Sequence, residues 1–165
     1  MSKVPINRSQ GRSVVVSTRG IVATEHPLAS QAGAMVLAHG GHAVDAAVAA
    51  NAVMTVVCPM MCGVGGDLFA IVSEHDGTTH GVNASGWAPA RLTPQVLESH
   101  YTGGMPQSGV HSVTVPGAVA GWSLLHERFG RTPLARLLEP ATALADELGI
   151  GLPTCRDILD SFRGE

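Results

Sequence analysis

Residues 40–67, GGHAVDAAVAANAVMTVVCPMMCGVGGD, decide the fold. A glycine pair opens a helical stretch and a glycine-rich turn closes it. From Ala43 to Val57 every position is Ala, Val or Met except Asp45, Asn51 and Thr55, so the pattern leaves no polar face for water and predicts a buried helix. The stretch lacks the roughly 18 consecutive apolar residues of a bilayer span, and Pro59 stops it. It therefore reads as a core helix and not a membrane segment. Asp45 falls in the first turn, where its charge meets the positive end of the helix dipole, a structural role. The turn 62–67, Cys-Gly-Val-Gly-Gly-Asp, leads into the apolar run Leu68-Phe69-Ala70-Ile71-Val72, which has the character of a buried strand. A dinucleotide fingerprint needs strand, then GxGxxG, then helix, and the order here is the reverse.

Working outward toward the N-terminus, Arg19 to Thr24 (RGIVAT) is β-branched and predicts a strand. Pro27 suits a first helical turn, and Leu28, Ala32, Met35 and Val36 share one face at helical spacing, with Gln31 and His39 off it. Residues 27–39 thus predict a helix that Gly40-Gly41 joins to the central one as an αα-hairpin. On the other side, Asp76-Gly77 signals a hairpin turn between Leu68–Ser73 and a return strand over 78–83. Thr93-Pro94 starts a short helix to about His100, and the glycine-rich stretch 101–107 reads as a loop. Val110 to Val115 (VHSVTV) alternates as a strand before helix Ala118 to Phe129, which Gly130 ends. Thr132-Pro133 opens a last helix, with Leu134, Leu137, Leu138 and Ala141 on one face, that runs to about Leu148 and Gly149.

Composition bounds the function. The chain has 165 residues, 45% hydrophobic and 14% charged, with net charge −3, long enough for one globular unit with a real core. No basic cluster or aromatic series suggests nucleic acid. Residues 1–17 open polar and without a signal-peptide core, which predicts a flexible leader and a cytoplasmic protein, with one domain, incomplete in these residues, over 18–165. Cys58, Cys62 and Cys155 have no CxxC spacing and read as buried thiols. His39 and His42 flank the glycine turn as loop histidines, and no metal site or cofactor is expected. Ser2 could follow removal of Met1, but the polar stretch around it argues against an N-terminal nucleophile. No GxSxG, HExxH or P-loop occurs.

Three segments carry a resemblance: GIVATEHPLASQAGAMVLAHGGHAVDAAVAANAV, CPMMCGVGGDLFAIV and SVTVPGAVAGWSLLHERFGRTPLARLLEPATALADELGI. Over roughly residues 20–153, and in the same order, the chain resembles the N-terminal part of the large subunit of γ-glutamyltranspeptidases, which are N-terminal nucleophile hydrolases. The resemblance implies part of an α+β fold, two sheets between helical layers (αββα), here a helical hairpin on a few mostly antiparallel strands. It implies acyl transfer from an amide by a threonine that lies downstream, at the start of the small subunit, whose free α-amine is the base. Thr78-Thr79-His80 spells a similar TTH, but Thr78 is internal and beside a turn. No catalytic nucleophile is therefore expected in these 165 residues, and the remainder of the large subunit and the small subunit are the expected partners.

The resemblance also places the substrate loop at residues 83–89, near the acyl pocket, with residues 63–67 as scaffold. Transpeptidases carry R-E-x-A-P here, the arginine holding the α-carboxylate of the glutamyl group. Aligned on Ala88-Pro89, the arginine position is Ser85 and the glutamate position Gly86. A hydroxyl offers one uncharged donor in place of a bidentate clamp, so another amide substrate becomes plausible. Arg91 reads as a surface residue. The alternatives are a non-catalytic interaction module or a truncated remnant and, remotely, a nucleotide-binding module.

Overall fold

The computed structural model describes residues 14–149. Its elements in chain order are α1 (Pro27–Ala38), α2 (Ala43–Val57), β1 (Leu68–Ser73), β2 (Thr79–Ala84), α3 (Pro94–His100), a 3-10 turn (Val110–Ser112), α4 (Ala118–Phe129) and α5 (Leu134–Glu147). Helix α2 is the centre, with α1, α5 and α4 packed around it. Val48, Ala49 and Val53 of α2 meet Trp122 and Leu125 of α4 and Leu137 of α5 in one core cluster. The α1–α2 hairpin closes tightly because a Cβ on Gly33 would stand 2.9 Å from the Ala46 carbonyl oxygen and from Val22 Cγ1. Only a residue without a side chain permits that approach.

Asp45 has a larger role than the dipole alone. It is fully buried, and its Oδ2 accepts from the His42 backbone N–H at 2.8 Å while His42 Nδ1 accepts from the Val44 N–H at 3.3 Å, which caps the helix. The carboxylate also accepts from the Arg131 N–H at 3.0 Å and from the Thr132 N–H and hydroxyl, both at 3.2 Å. It thereby fixes the α4–α5 connection to the start of α2. Burial pushes its pKa up, but the backbone N–H groups of His42, Arg131 and Thr132 and the Thr132 hydroxyl outweigh that and hold it below the ordinary carboxylate value.

β1 and β2 form an antiparallel pair with Ala70 opposite Val82. Leu68, Ala70 and Val72 pack on the core cluster, while Phe69 and Ile71, 68% and 79% exposed, face outward. At the turn the Thr78 N–H donates to Asp76 Oδ1 at 2.8 Å and its carbonyl accepts from Glu74 N at 2.8 Å. Thr78 is thus a hairpin residue. Arg128 of α4 donates to His80 Nδ1 at 2.9 Å, and His80 Nε2 lies 2.7 Å from Glu74 Oε1, tying hairpin to helix.

Four expectations need correction. Residues 19–24 are not a strand, because strand is a pairing state and among the described residues the backbone of 21–23 forms no hydrogen bond. Residues 110–115 hold a 3-10 turn: Ser112 folds back on Gly109 through its N–H and its hydroxyl, and Pro116 interrupts any ladder. The buried face of α1 is Ala29, Ala32 and Gly33; Leu28 and Met35 are exposed, since small residues let the helices approach. α2 is not covered all round, for Ala43 and Ala47 are exposed. α5 opens after Thr132-Pro133 as expected, with Pro133 at the N-cap position and no side-chain bond there.

The return strand begins and ends one residue later than expected, and the bounds of α2, α3 and α4 agree. Pro140 sits inside α5, which continues to Glu147 despite the missing N–H. Cys58 and Cys62 are free and half-buried against the core; Cys155, Ser2 and most of the leader lie outside the described residues. No described helix is long and apolar enough to cross a membrane.

Candidate substrate-binding site

The turn 63–67 and the loop 83–89 are far apart in sequence, and a third segment, 113–118, fastens them together. Gly117 and Ala118 both donate their N–H to the Gly66 carbonyl at 3.0 Å, and Thr114 Oγ1 donates to Asp67 Oδ1 at 2.9 Å. On the other side the Val115 N–H donates to the Trp87 carbonyl at 2.9 Å. Gly117 lies so close to the loop that a Cβ there would be 2.2 Å from the Ala84 carbonyl oxygen. Gly86 adopts φ +76°, and a Cβ on it would stand 1.8 Å from the Val115 carbonyl oxygen. No side chain fits at position 86 in this backbone.

Ser85 is half-buried within this assembly; its N–H donates to Asn83 Oδ1 at 3.1 Å, and its hydroxyl makes no hydrogen bond among the described residues. Trp87 projects from the anchored backbone 85% exposed. Arg91 is exposed; its carbonyl accepts from the Thr93 N–H at 3.1 Å, and its guanidinium makes no hydrogen bond or ion pair among the described residues. His39 Nδ1 meets the Met35 carbonyl at 2.7 Å, and with His42 engaged at α2 both histidines serve helix ends.

Two cavities of about 420 Å³ each adjoin α2. One lies between the glycine turn, the C-terminal half of α2 and residues 112–114, and contains Thr55, Cys62 and Asp67. No histidine lines it, and its carboxylate is engaged by Thr114. The other is an apolar groove floored by Ala43, Ala46, Ala47 and Ala50, with residues 21–24 on one bank and the start of β1 on the other. Asn51 lines both cavities. Sequence reading noted Asn51 only as a polar exception. The structure shows it held by Trp122, whose Nε1–H donates to Asn51 Oδ1 at 2.7 Å.

The family model described as Gamma-glutamyltranspeptidase matches residues 29–156. The chain is 40% identical over 157 residues to an acylase ACY 1 proenzyme of a Pseudomonas species, covering 90% of this chain and 28% of that protein. It is 33% identical to glutathione hydrolase proenzyme 1 of Schizosaccharomyces pombe, covering 95% of this chain and 24% of that one. Among solved structures it is similar to the γ-glutamyltranspeptidase of Helicobacter pylori, with a TM-score of 0.74 and 31% identity over 81% of this chain and 39% of that chain. The cephalosporin acylase of Bacillus halodurans gives a TM-score of 0.70 and 39% identity over 86% of this chain and 28% of that chain. The chain therefore spans about a quarter of the length of the curated relatives it matches.

Proposed function

This chain belongs to the γ-glutamyltranspeptidase family of N-terminal nucleophile hydrolases, corresponding to its N-terminal segment, and we propose that it builds one wall of an acyl pocket for amides whose acyl group carries no α-carboxylate. The observation that carries this reading is Gly86. Its left-handed backbone against Val115 leaves no room for the glutamate of R-E-x-A-P, and Ser85 stands where the arginine would be. Both members of the charged pair are gone, and the backbone is shaped to their absence. Losing a desolvated charge-assisted contact costs on the order of 2 to 5 kcal/mol of recognition. The presence of acylases beside glutathione hydrolases among the similar proteins supports the same direction.

The chemistry proposed is the family's. A threonine supplied by the polypeptide that follows this segment in the relatives attacks the amide carbonyl. Its hydroxyl proton passes to the free α-amine and from there to the departing amine, leaving an acyl-enzyme that water or another amine resolves. This chain contributes the turn 63–67 as scaffold and the loop 83–89 as the wall beside the acyl group.

The partner is that following polypeptide, in the same chain or another. Its place is suggested by the apolar groove. The backbone of residues 21–23 is unpaired among the described residues, β1 is bonded on one side only, and both border a floor of alanines. A β-strand laid into the groove would satisfy both edges and cover the floor.

The test joins this chain to the polypeptide that follows the matched segment in the Pseudomonas acylase and compares butyryl-p-nitroanilide with γ-glutamyl-p-nitroanilide. A preference for the butyryl amide is expected. A preference for the γ-glutamyl amide would sink the reading.

A further inference from the structure

We infer that His80 is a pH-sensitive latch: neutral, it ties the tip of the β1–β2 hairpin to the last turn of α4, and protonated, it releases Arg128. The direction of each hydrogen bond follows from the chemistry of the groups. A guanidinium can only donate, so the contact of 2.9 Å from Arg128 to His80 Nδ1 requires a bare lone pair on that nitrogen. The ring proton is then on Nε2, where Glu74 Oε1 accepts it at 2.7 Å. Neutral His80 thus stands between a donor on α4 and an acceptor on its own hairpin, with both nitrogens used. With 17% of its side chain exposed, the ring is open to solvent protons.

A second proton changes one side only. It enters at Nδ1, the nitrogen that faces Arg128, where it removes the acceptor and sets two cations in contact. On the Nε2 side the bond to Glu74 is kept and becomes charge-assisted. Around the latch stand Glu74, His75 and Asp76 of the hairpin, Arg128 of α4, Arg131 after it and His42 before α2. The Thr78 N–H and hydroxyl and, more weakly, the His80 charge hold the Asp76 carboxyl below its ordinary value. Both carboxylates near His80 lie on the hairpin. Acidification therefore strengthens contacts within the hairpin and weakens the one that crosses to the helix.

The rest of the hairpin decides what moves. At its base Gly121 of α4 sits so close that a Cβ there would stand 2.8 Å from Leu68 Cδ2 and 2.9 Å from Ala84 Cβ. That contact has no titratable member. Leu68 pairs with Ala84 at the base, whereas His80 pairs with Val72 near the turn, about 13 Å further along the strand. The base stays packed on α4 at every pH, and the tip loses its polar tie. The freed guanidinium keeps the ring of Phe129, 5.1 Å away, as its support.

Urea unfolding of the full chain at pH 8 and pH 5, at low salt, reads the latch. This window spans histidine ionisation and stays above the aspartate range in which Asp45 acts. Arg128→Met is expected to lower the folding equilibrium constant about threefold at pH 8 and to leave it unchanged at pH 5. His80→Asn keeps an acceptor near the Nδ1 position and cannot titrate, so in that background the effect of Arg128→Met is expected to be equal at the two pH values. The imidazole nitrogen NMR shifts of the native chain, which need no variant, are expected to show the Nε2–H form at pH 8 and the doubly protonated ring at pH 5. An Arg128→Met loss of one size at both pH values overturns the inference, as does an Nδ1–H ring at pH 8 or a ring still neutral at pH 5. A pH-dependent Arg128→Met effect that survives in His80→Asn also overturns it and assigns the titration to another group.

Discussion

Asp45 joins the start of α2 to the residues between α4 and α5 through three donors, beside the His42 N–H of its own cap, and that is where a single substitution should cost most. Asp45→Ala leaves those part-buried donors without their acceptor and is expected to lower stability by roughly 3 kcal/mol, measured by urea unfolding. Because the folded pKa is depressed, the unfolded chain takes up the proton first. The stabilisation is complete above the ordinary aspartate range near pH 4 and is lost as pH falls through the folded value. Urea midpoints from pH 6 to pH 2 should drop more steeply for the native chain than for Asp45→Asn. In the loop, Gly86→Glu meets both a left-handed backbone, which costs about 1 to 2 kcal/mol for a residue with a Cβ, and the Val115 carbonyl. Restoring R-E at 85–86 should therefore lower the melting temperature without creating a transpeptidase, while Ser85→Arg alone should raise γ-glutamyl-p-nitroanilide turnover in the assembled enzyme. The glycine turn at 63–67 was legible in the sequence because it is a local motif. The Asn51–Trp122 and Asp45–Thr132 bonds were not, since they join residues 71 and 87 positions apart and no spacing rule reaches that far.

At the scale of elements, sequence reading succeeded where structure is local and failed where it depends on a partner. The helix bounds of α2, α3 and α4 follow from Gly40-Gly41, Pro59, Thr93-Pro94 and Gly130, each acting within a turn of its own position. The β-branched runs at 19–24 and 110–115 have strand composition, but composition does not supply the neighbour that makes a strand. The exposed face of α1 was misjudged for a related reason. Large residues were assigned inward, whereas close contact with α2 selects Ala29, Ala32 and Gly33. Gly33→Val tests that contact directly. Overpacking between the helices is expected to cost about 1 to 3 kcal/mol in urea unfolding, while the same change at the uncrowded Gly81 should cost less.

The whole molecule has an uneven surface. The core is packed on α2, but Phe69 and Ile71 present an apolar outer face on the hairpin, and the alanine floor of α2 lies open beside it. Such a surface marks an interaction site. The chain alone is expected to self-associate at tens of micromolar in light scattering, and Phe69→Lys with Ile71→Lys should keep it monomeric without changing its melting temperature. The two tryptophans have a further consequence. They are the whole indole complement of the chain, and they sit in opposite surroundings, Trp122 4% and Trp87 85% exposed. The protein thus carries a built-in optical pair: a buried emitter lining the groove, expected to be blue-shifted, and an exposed, iodide-quenchable one on the loop 83–89 proposed to face the substrate. Arrival of a partner strand and arrival of a substrate could be followed in one cuvette, at two wavelengths, with no label attached.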